Sequence, residues 1–253
     1  RGGPGLGTIQ PSQGDYFQAC KGGGHGDYRL IVLAPASVQE MHDFVALGFD
    51  LAFKYRNPAM ILADGAIGQM MEKVVLAPQR PRKTNEEIAA ECRDWATYGK
   101  PADRPRNVVT SLELQSEAME KINLRLQAKY KAMEENEVRY EALACDDADY
   151  VIVAFGSSAR ICSATVEMAR AEGIRLGMLR PITLYPFPTR PIAELAARVK
   201  GFLSVELNAG QMVEDVRLAV NGAVPVEHYG RQGGMIYSPD EVLAALKEKL
   251  IKA

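Results

Sequence analysis

Residues 149–188, DYVIVAFGSSARICSATVEMARAEGIRLGMLRPITLYPFP, constrain the fold of this chain more than any other stretch. Val151, Ile152, Val153, Ala154 and Phe155 form an unbroken apolar run, the pattern of a strand buried on both faces. Gly156, Ser157 and Ser158 follow at once. A small residue permits a sharp turn there, and a serine can cap a helix that begins near Ala159. Ile161, Val166, Met168 and Ala169 are expected to face the sheet, and Gly173 to end the helix. Residues 176–179 make the next strand. A strand, helix and strand of this length form a right-handed crossover in a parallel sheet. The expected fold class is therefore α/β.

The same alternation occurs earlier in the chain. Residues 28–34 read as a strand ending at Pro35, and Ser37 with Glu40 forms a capping box for the helix that follows. Val38, Met41, Val45, Phe49 and Ala52 recur at helical spacing and predict the face turned to the core, with His42 on or beside it as a structural residue. Pro58 opens the strand AMILAD. Asp64 and Gly65 then lie at the C-terminal end of a strand, the edge where open α/β sheets bind ligands. The next loop carries Ile67, Gln69, Met70, Met71 and Glu72. It is either a wall over a substrate pocket or a connection whose methionines fill gaps in the core.

Residues 78–83, PQRPRK, read as a linker out of the first domain. Thr84 and Glu87 cap a helix expected over 85–97, where Trp95 is an apolar anchor, and residues 99–107 read as a loop. Thr110 and Glu113 cap a long helix expected to run to about Ala144. Its stripe of Met119, Ile122, Leu126, Tyr130 and Met133 either bridges domains or meets a partner subunit. These readings divide the chain into domains at 1–77 and 146–253, with a linker and bridging helix at 78–145.

In the second domain, Thr189 starts a helix with Pro191 in its first turn. FLSVEL is a third buried strand, Gln211 opens a helix, and residues 224–229 form a fourth strand. Ser238, Pro239 and Glu241 mark the start of the last helix. Glu206, Asn208, Gln211 and Glu214 gather after the third strand, either as a ligand or subunit contact or as helix capping.

A net charge of −2 gives no reason to expect a nucleic-acid partner. No apolar run approaches the ~20 residues of a membrane helix. Cys20, Cys92, Cys145 and Cys162 are widely separated, unlike the close spacing of iron–sulfur ligands, and fit reduced thiols in a cytoplasmic protein. The chain opens inside a glycine-rich segment, RGGPGLGT followed by KGGGHG, so residue 1 is not expected to be a natural start. Such a segment either lets the backbone approach a ligand or forms a mobile loop. His25 is correspondingly either a turn residue or part of a site.

RGGPGLGT, GHGDYRLIVLAP, GSSARI with LRPITLYPFP, and VELNAGQMVEDVRLAV together resemble the alpha subunit of 2-oxoacid:ferredoxin oxidoreductases. The resemblance implies two doubly wound parallel-sheet domains. The first is the C-terminal part of a thiamine-diphosphate pyrimidine-type domain, and the second is similar to the C-terminal domain of transketolase. It implies coenzyme A-dependent oxidative decarboxylation of a 2-oxoacid, with electrons passed to ferredoxin. Arg1 matches the family's arginine for the substrate carboxylate, and a guanidinium suits that group because it binds it with two parallel hydrogen bonds. Gly2, Gly3, His25, Asp64, Gln69 and Met70 are then expected around the substrate. Glu206, Asn208 and Gln211 become contacts to a subunit or ligand.

No residue matches the family's activating glutamate or its magnesium–diphosphate motif. Thiamine diphosphate, magnesium and 4Fe–4S clusters are therefore expected mostly on beta, gamma and ferredoxin-like delta subunits, and the isolated chain is expected neither to bind the cofactor tightly nor to turn over. GHGDYRLIVLAPASVQEM and DGAIGQMMEKV resemble the 2-oxoisovalerate type most, with 2-oxoglutarate second. Two alternatives stay open. One is a subunit of another thiamine enzyme, such as a 2-oxoacid dehydrogenase or a transketolase-like synthase. The other is a non-catalytic assembly module.

Overall fold

In the computed structural model, residues 1–97, 99–100 and 102–252 are described. Arg1–Val75 and Ala128–Ala253 form one compact unit, and Leu76–Gln127 a second. The first unit holds two sheets. The larger has five strands: β3 (Tyr140–Leu143), β4 (Tyr150–Val153), β5 (Leu176–Pro181), β7 (Gly201–Glu206) and β8 (Val226–Gly230), in the order β3-β5-β4-β7-β8. The last four are mutually parallel, with Ile152 level with Met178 on one side and Leu203 on the other.

Alternation along the central strands builds this unit's core. Val151, Val153 and Phe202 pack against Ile192 and Leu195 of α6 (Thr189–Ala196) and Val216 of α7 (Met212–Val220). Ile152, Leu203 and Val205 face the other way, onto Cys162 and Val166 of α5 (Gly156–Ala171) and Val242 and Leu246 of α8 (Pro239–Leu246). Successive side chains of a strand point to opposite faces, so an apolar run without alternation requires cover on both. Each fully buried Val, Leu, Ile or Phe contributes roughly 1.5–3 kcal/mol.

The smaller sheet has the order β2-β1-β6, from β1 (Ile31–Leu33), β2 (Ala59–Ile61) and β6 (Thr183–Tyr185). β1 and β2 are parallel, joined by α2 (Val38–Tyr55), which follows the short α1 (Tyr16–Cys20), while β6 is antiparallel to β1. The α/β class and the parallel crossovers are as expected from the sequence. Two antiparallel strands are not. Thr183–Tyr185, just beyond the expected strand, crosses to the smaller sheet, and β3 lies antiparallel to β5.

Three helix expectations need correction. The long helix does not run from Thr110 to Ala144. The observed α4 is Ser116–Asn136, and residues 140–143 form the edge strand β3. Thr110 and Glu113 accept bonds from Leu112 N and Gln115 N in local turns instead of capping the helix. In the second unit, α3 has the expected Thr84–Glu87 capping box but ends at Glu91, not Thr97; residue 101 of the expected 99–107 loop lies outside the described residues. The core face of α2 is Phe44, Gly48 and Leu51, while Val45 and Phe49 are 49% and 64% exposed. The two stripes share one spacing and differ by a single residue, about 100° of rotation. Periodicity cannot choose between them; the sheet does. No helix among the described residues is long and apolar enough to cross a membrane.

Candidate functional site

The C-terminal ends of β2, β4 and β7 carry the site. Residues 1–10 lie over this edge as a tight reversal. Gly2 N donates to Gln10 O at 3.1 Å, and Thr8 N to Gly2 O at 2.7 Å. Gly7 has φ +59°, and a Cβ there would lie 1.7 Å from Gly2 O, so only glycine closes this loop. Thr8 Oγ1 donates to Gly233 O at 2.9 Å, tying the reversal to the loop after β8. The Arg1 guanidinium donates to Gly5 O at 3.2 Å, and the residue is exposed and lines the cavity described next.

Asp64 is buried at the end of β2 and accepts four hydrogen bonds. Oδ1 accepts from Ala66 N (2.9 Å), Ile67 N (3.3 Å) and Ser157 Oγ (2.7 Å), and Oδ2 from Ser157 N (3.2 Å). Gln13 makes a parallel clasp. Its Nε2 donates to Phe155 O at 2.8 Å, and its Oε1 accepts from Ser158 Oγ at 2.7 Å and Leu207 N at 3.0 Å. One of Ser157 and Ser158 was expected to cap α5. Both lie inside its first turn instead, where their hydroxyls grip Asp64 and Gln13, and Phe155 holds the capping position without a side-chain bond. Gly156 has φ +55°, and a Cβ there would approach Gln13 Nε2 to 3.1 Å and Asp64 Oδ2 to 3.3 Å. The small residue lets the two clasps close.

Arg1 and Asp64, far apart in sequence, line one cavity of about 30 Å³ with Ser12, Gln13, Asp15 and Gly156. Gln69 and Met70 line a neighbouring cleft of about 420 Å³ with Ile9, Pro11, Gly65 and Ile236. Gly2 packs against the loop after β8: a Cβ on it would lie 2.6 Å from Gly233 C. Nothing crowds Gly3. Ile67 is only 2% exposed and belongs to the core, not to a pocket wall. Glu72 caps the start of α2, accepting from Val38 N at 2.9 Å and pairing with Arg160 at 2.8 Å; the Val38 amide and then the Arg160 guanidinium hold its carboxyl below the usual range, against partial desolvation. His25 is exposed and lines neither cavity.

Glu206, Asn208 and Gln211 are turned inward. Glu206 is fully buried and accepts from Gln211 N (3.1 Å), Met212 N (2.7 Å) and Val213 N (2.9 Å), placing its charge at the N-terminus of α7. Asn208 Nδ2 donates to Gln13 O at 2.9 Å, while Gln211 donates to Gly14 O and accepts from Phe17 N. Together they staple residues 13–17 to the larger sheet. Ser12, Gln13, Ile9 and Ile236 were absent from the expected set. No motif marked them, and only the chain's return across the sheet edge brings them to the site.

Thiamine diphosphate does not fit the cavity beside Arg1. The cavity beside Arg1 is about 30 Å³, and both oxygens of its buried carboxyl group, Asp64, already have donors. Among the described residues no group of three or more His, Cys, Asp or Glu could hold a metal ion, and all four cysteines are buried and unpaired.

Residues 1–141 match the family model described as pyruvate flavodoxin/ferredoxin oxidoreductase, thiamine diphosphate-binding, and residues 148–242 match pyruvate:ferredoxin oxidoreductase core domain II. The chain belongs to the 2-oxoacid:ferredoxin oxidoreductase family. It is 49% identical over 98% of its length to the ketoisovalerate oxidoreductase subunit VorB of Methanothermobacter thermautotrophicus, covering 68% of that relative. It is 36% identical over 96% of its length to the 2-oxoglutarate synthase subunit KorA of Methanothermobacter marburgensis, covering 70% of it. Among solved structures, the 2-oxoglutarate:ferredoxin oxidoreductase of Magnetococcus marinus, with 2-oxoglutarate, coenzyme A and succinyl-CoA bound, has a TM-score of 0.78 at 22% identity. That likeness covers 98% of this oxidoreductase chain and 47% of the other, and it shows the shared fold. The resemblance carried by the separated sequence motifs is borne out.

Proposed function

We propose that this chain is the portion of an oxidoreductase alpha subunit that holds the carboxylate of a 2-oxoacid, and that the 2-oxoacid is 2-oxoisovalerate. One observation carries the reading: Arg1 stands at a cavity it shares with Asp64, Gln13 and the glycine turn of α5, at the C-terminal edge of both sheets. A guanidinium there can hold a planar carboxylate by two parallel bonds. Asp64 and Gln13 act by position: they fix the floor under Arg1 and touch the α5 turn rather than the substrate. The relative named for ketoisovalerate, at 49% identity, supports the choice of substrate over the 2-oxoglutarate relative at 36%.

The remaining chemistry belongs to a larger assembly. Thiamine diphosphate, when bound, supplies the decarboxylation chemistry. In our reading a beta subunit holds it with magnesium, gamma and delta subunits complete the complex, 4Fe–4S clusters carry electrons to ferredoxin, and coenzyme A takes the acyl group. Residues 1–77 act as part of the pyrimidine-type domain and residues 146–253 as the transketolase C-terminal-like domain. Gly2, Gly3 and His25 belong to the loops over the substrate. Four buried, unpaired thiols suit a reducing cytoplasm.

The test is 2-oxoacid-dependent dye reduction by the assembled complex. Arg1→Gln is expected to raise the KM for every 2-oxoacid by roughly 10-fold or more, as loss of a charge-assisted bidentate pair requires. An unchanged KM for all of them would overturn the reading.

A further inference from the structure

The cleft next to Arg1 has a composition that bears on which 2-oxoacid fits. It is about 420 Å³, and no charged side chain among the described residues lines it. Ile9 and Pro11 come from the N-terminal segment, Gln69 and Met70 from the loop after β2, and Ile236 from the loop after β8. It adjoins the Arg1 cavity directly. Ser12 and Asp64 line the cavity, and their chain neighbours Pro11 and Gly65 line the cleft. A Cβ on Gly65 would lie 3.8 Å from Pro11 N, so these two segments are in contact.

The three apolar side chains are held from behind. The loop bearing Ile236 is fastened to the N-terminal reversal through Thr8 Oγ1 and Gly233 O. Gly234 sits so close to Gln10 that a Cβ would meet that side chain at 2.2 Å. On the far side Tyr237 is 2% exposed and donates to Ser158 Oγ at 2.5 Å. Ile9, Met70 and Ile236 themselves stay 87%, 38% and 45% exposed in this chain. Large apolar residues gathered at a concave edge beside a cation mark a binding surface, not unused core.

We propose that Ile9, Met70 and Ile236 form the recess for the side chain of the 2-oxoacid, and that its uncharged lining selects a branched aliphatic tail against one ending in a second carboxylate. This rests on the reading that Arg1 holds the first carboxylate. With that end fixed, the tail meets the apolar side chains of the adjoining cleft. An isopropyl group gains burial there. A second carboxylate would enter a recess with no cation to pair it and would lose hydration without compensation. Ile236 is the informative member. It comes from the larger sheet, whereas Met70 comes from the smaller, so selection depends on both.

The experiment measures kcat and KM of the assembled complex with 2-oxoisovalerate, pyruvate and 2-oxoglutarate, and, for the Met70 variant, also with 4-methyl-2-oxopentanoate. Ile236→Arg is expected to lower kcat/KM for 2-oxoisovalerate by about 10-fold or more, the scale of discrimination set by one or two methyl groups. The same variant should improve 2-oxoglutarate, and should change pyruvate by less than about 3-fold because a methyl group does not reach the recess. Ile236→Leu should restore the original preference. Met70→Ala introduces no charge and enlarges the recess. It should shift preference toward 4-methyl-2-oxopentanoate, mainly through KM. If Ile236→Arg lowers all three substrates in parallel, or if neither variant changes preference, the proposal is overturned. Arg1→Gln separates the two readings. If it weakens all 2-oxoacids while the recess variants change no preference, only the recess is wrong. If it weakens none, the carboxylate reading fails with it.

Discussion

Replacing Asp64 tests the joint between the two sheets. The carboxyl group holds the two backbone amides of its own turn and the amide and hydroxyl of Ser157, which is itself buried. Asp64→Ala removes four acceptor contacts at once. The Ala66 amide is only partly buried and can find water, whereas the Ile67 amide is buried. The two Ser157 donors are buried too, and each unsatisfied buried donor costs about 1–3 kcal/mol. The adjoining 30 Å³ cavity has room for one water, which limits the loss. The sum is roughly 3 kcal/mol, a Tm lower by about 6–12 °C for a unit of this size. Asp64→Asn keeps one acceptor but turns an NH2 toward Ser157 N–H, so an intermediate loss of about 2 kcal/mol is expected. Urea unfolding of the single and double variants with Ser157→Ala should give a coupling of about 1 kcal/mol or more. A loss below about 1 kcal/mol for Asp64→Ala, or additive effects in the cycle, would refute the clasp.

Three further outcomes follow from the same contacts. Burial pushes the Glu137 carboxyl up, but bonds from Lys54 (2.6 Å), Tyr55 (2.8 Å) and Arg139 (3.0 Å) outweigh it and hold the group below the usual carboxylate range. A folded-state value depressed in this way stabilises above the unfolded value of about 4.3 and is lost as pH falls through the folded one. Glu137→Gln should therefore lose stability at pH 7 and converge with the parent only as pH falls below the depressed folded-state value, in acid titrations followed by circular dichroism. Gly156→Ala places a Cβ at positive φ against both clasps, and should cost roughly 1–2 kcal/mol in urea unfolding; a neutral result would mean the turn relaxes freely. Glu206→Ala strips three amides at the start of α7 of their acceptor. It should cost about 2–4 kcal/mol, with Glu206→Gln retaining part of it in the same assay.

Much of the architecture was legible because it follows from local periodicity. The apolar run at 151–155 and the glycine after it specify a strand and turn wherever they occur, and the 238–241 capping box is present as expected. Arg1 and Asp64, the first taken from a motif and the second from its place at a strand end, line one cavity. What misled was equally local. The helical pattern over 110–144 continued past Asn136, where β5 offers a pairing edge and residues 140–143 take it. The α2 stripe was misread by one position because two registers have the same spacing. The polar cluster at 206–211 left a contact surface and helix capping both open; Glu206 holds the first amides of α7, while Asn208 and Gln211 face inward onto residues 13–17.

The sequence by itself determined the parallel strands of the larger sheet, the helices that cover them and the family to which the chain belongs. These rest on apolar spacing, capping residues and motifs that act within a few positions. Tertiary structure alone decided that Ser157 and Ser158 grip Asp64 and Gln13 instead of capping their helix, and that Ile236 stands beside Met70. The physical reason is that hydrogen bonds and apolar contacts act over a few ångströms, and no local pattern records which distant segment the folded chain brings within that reach.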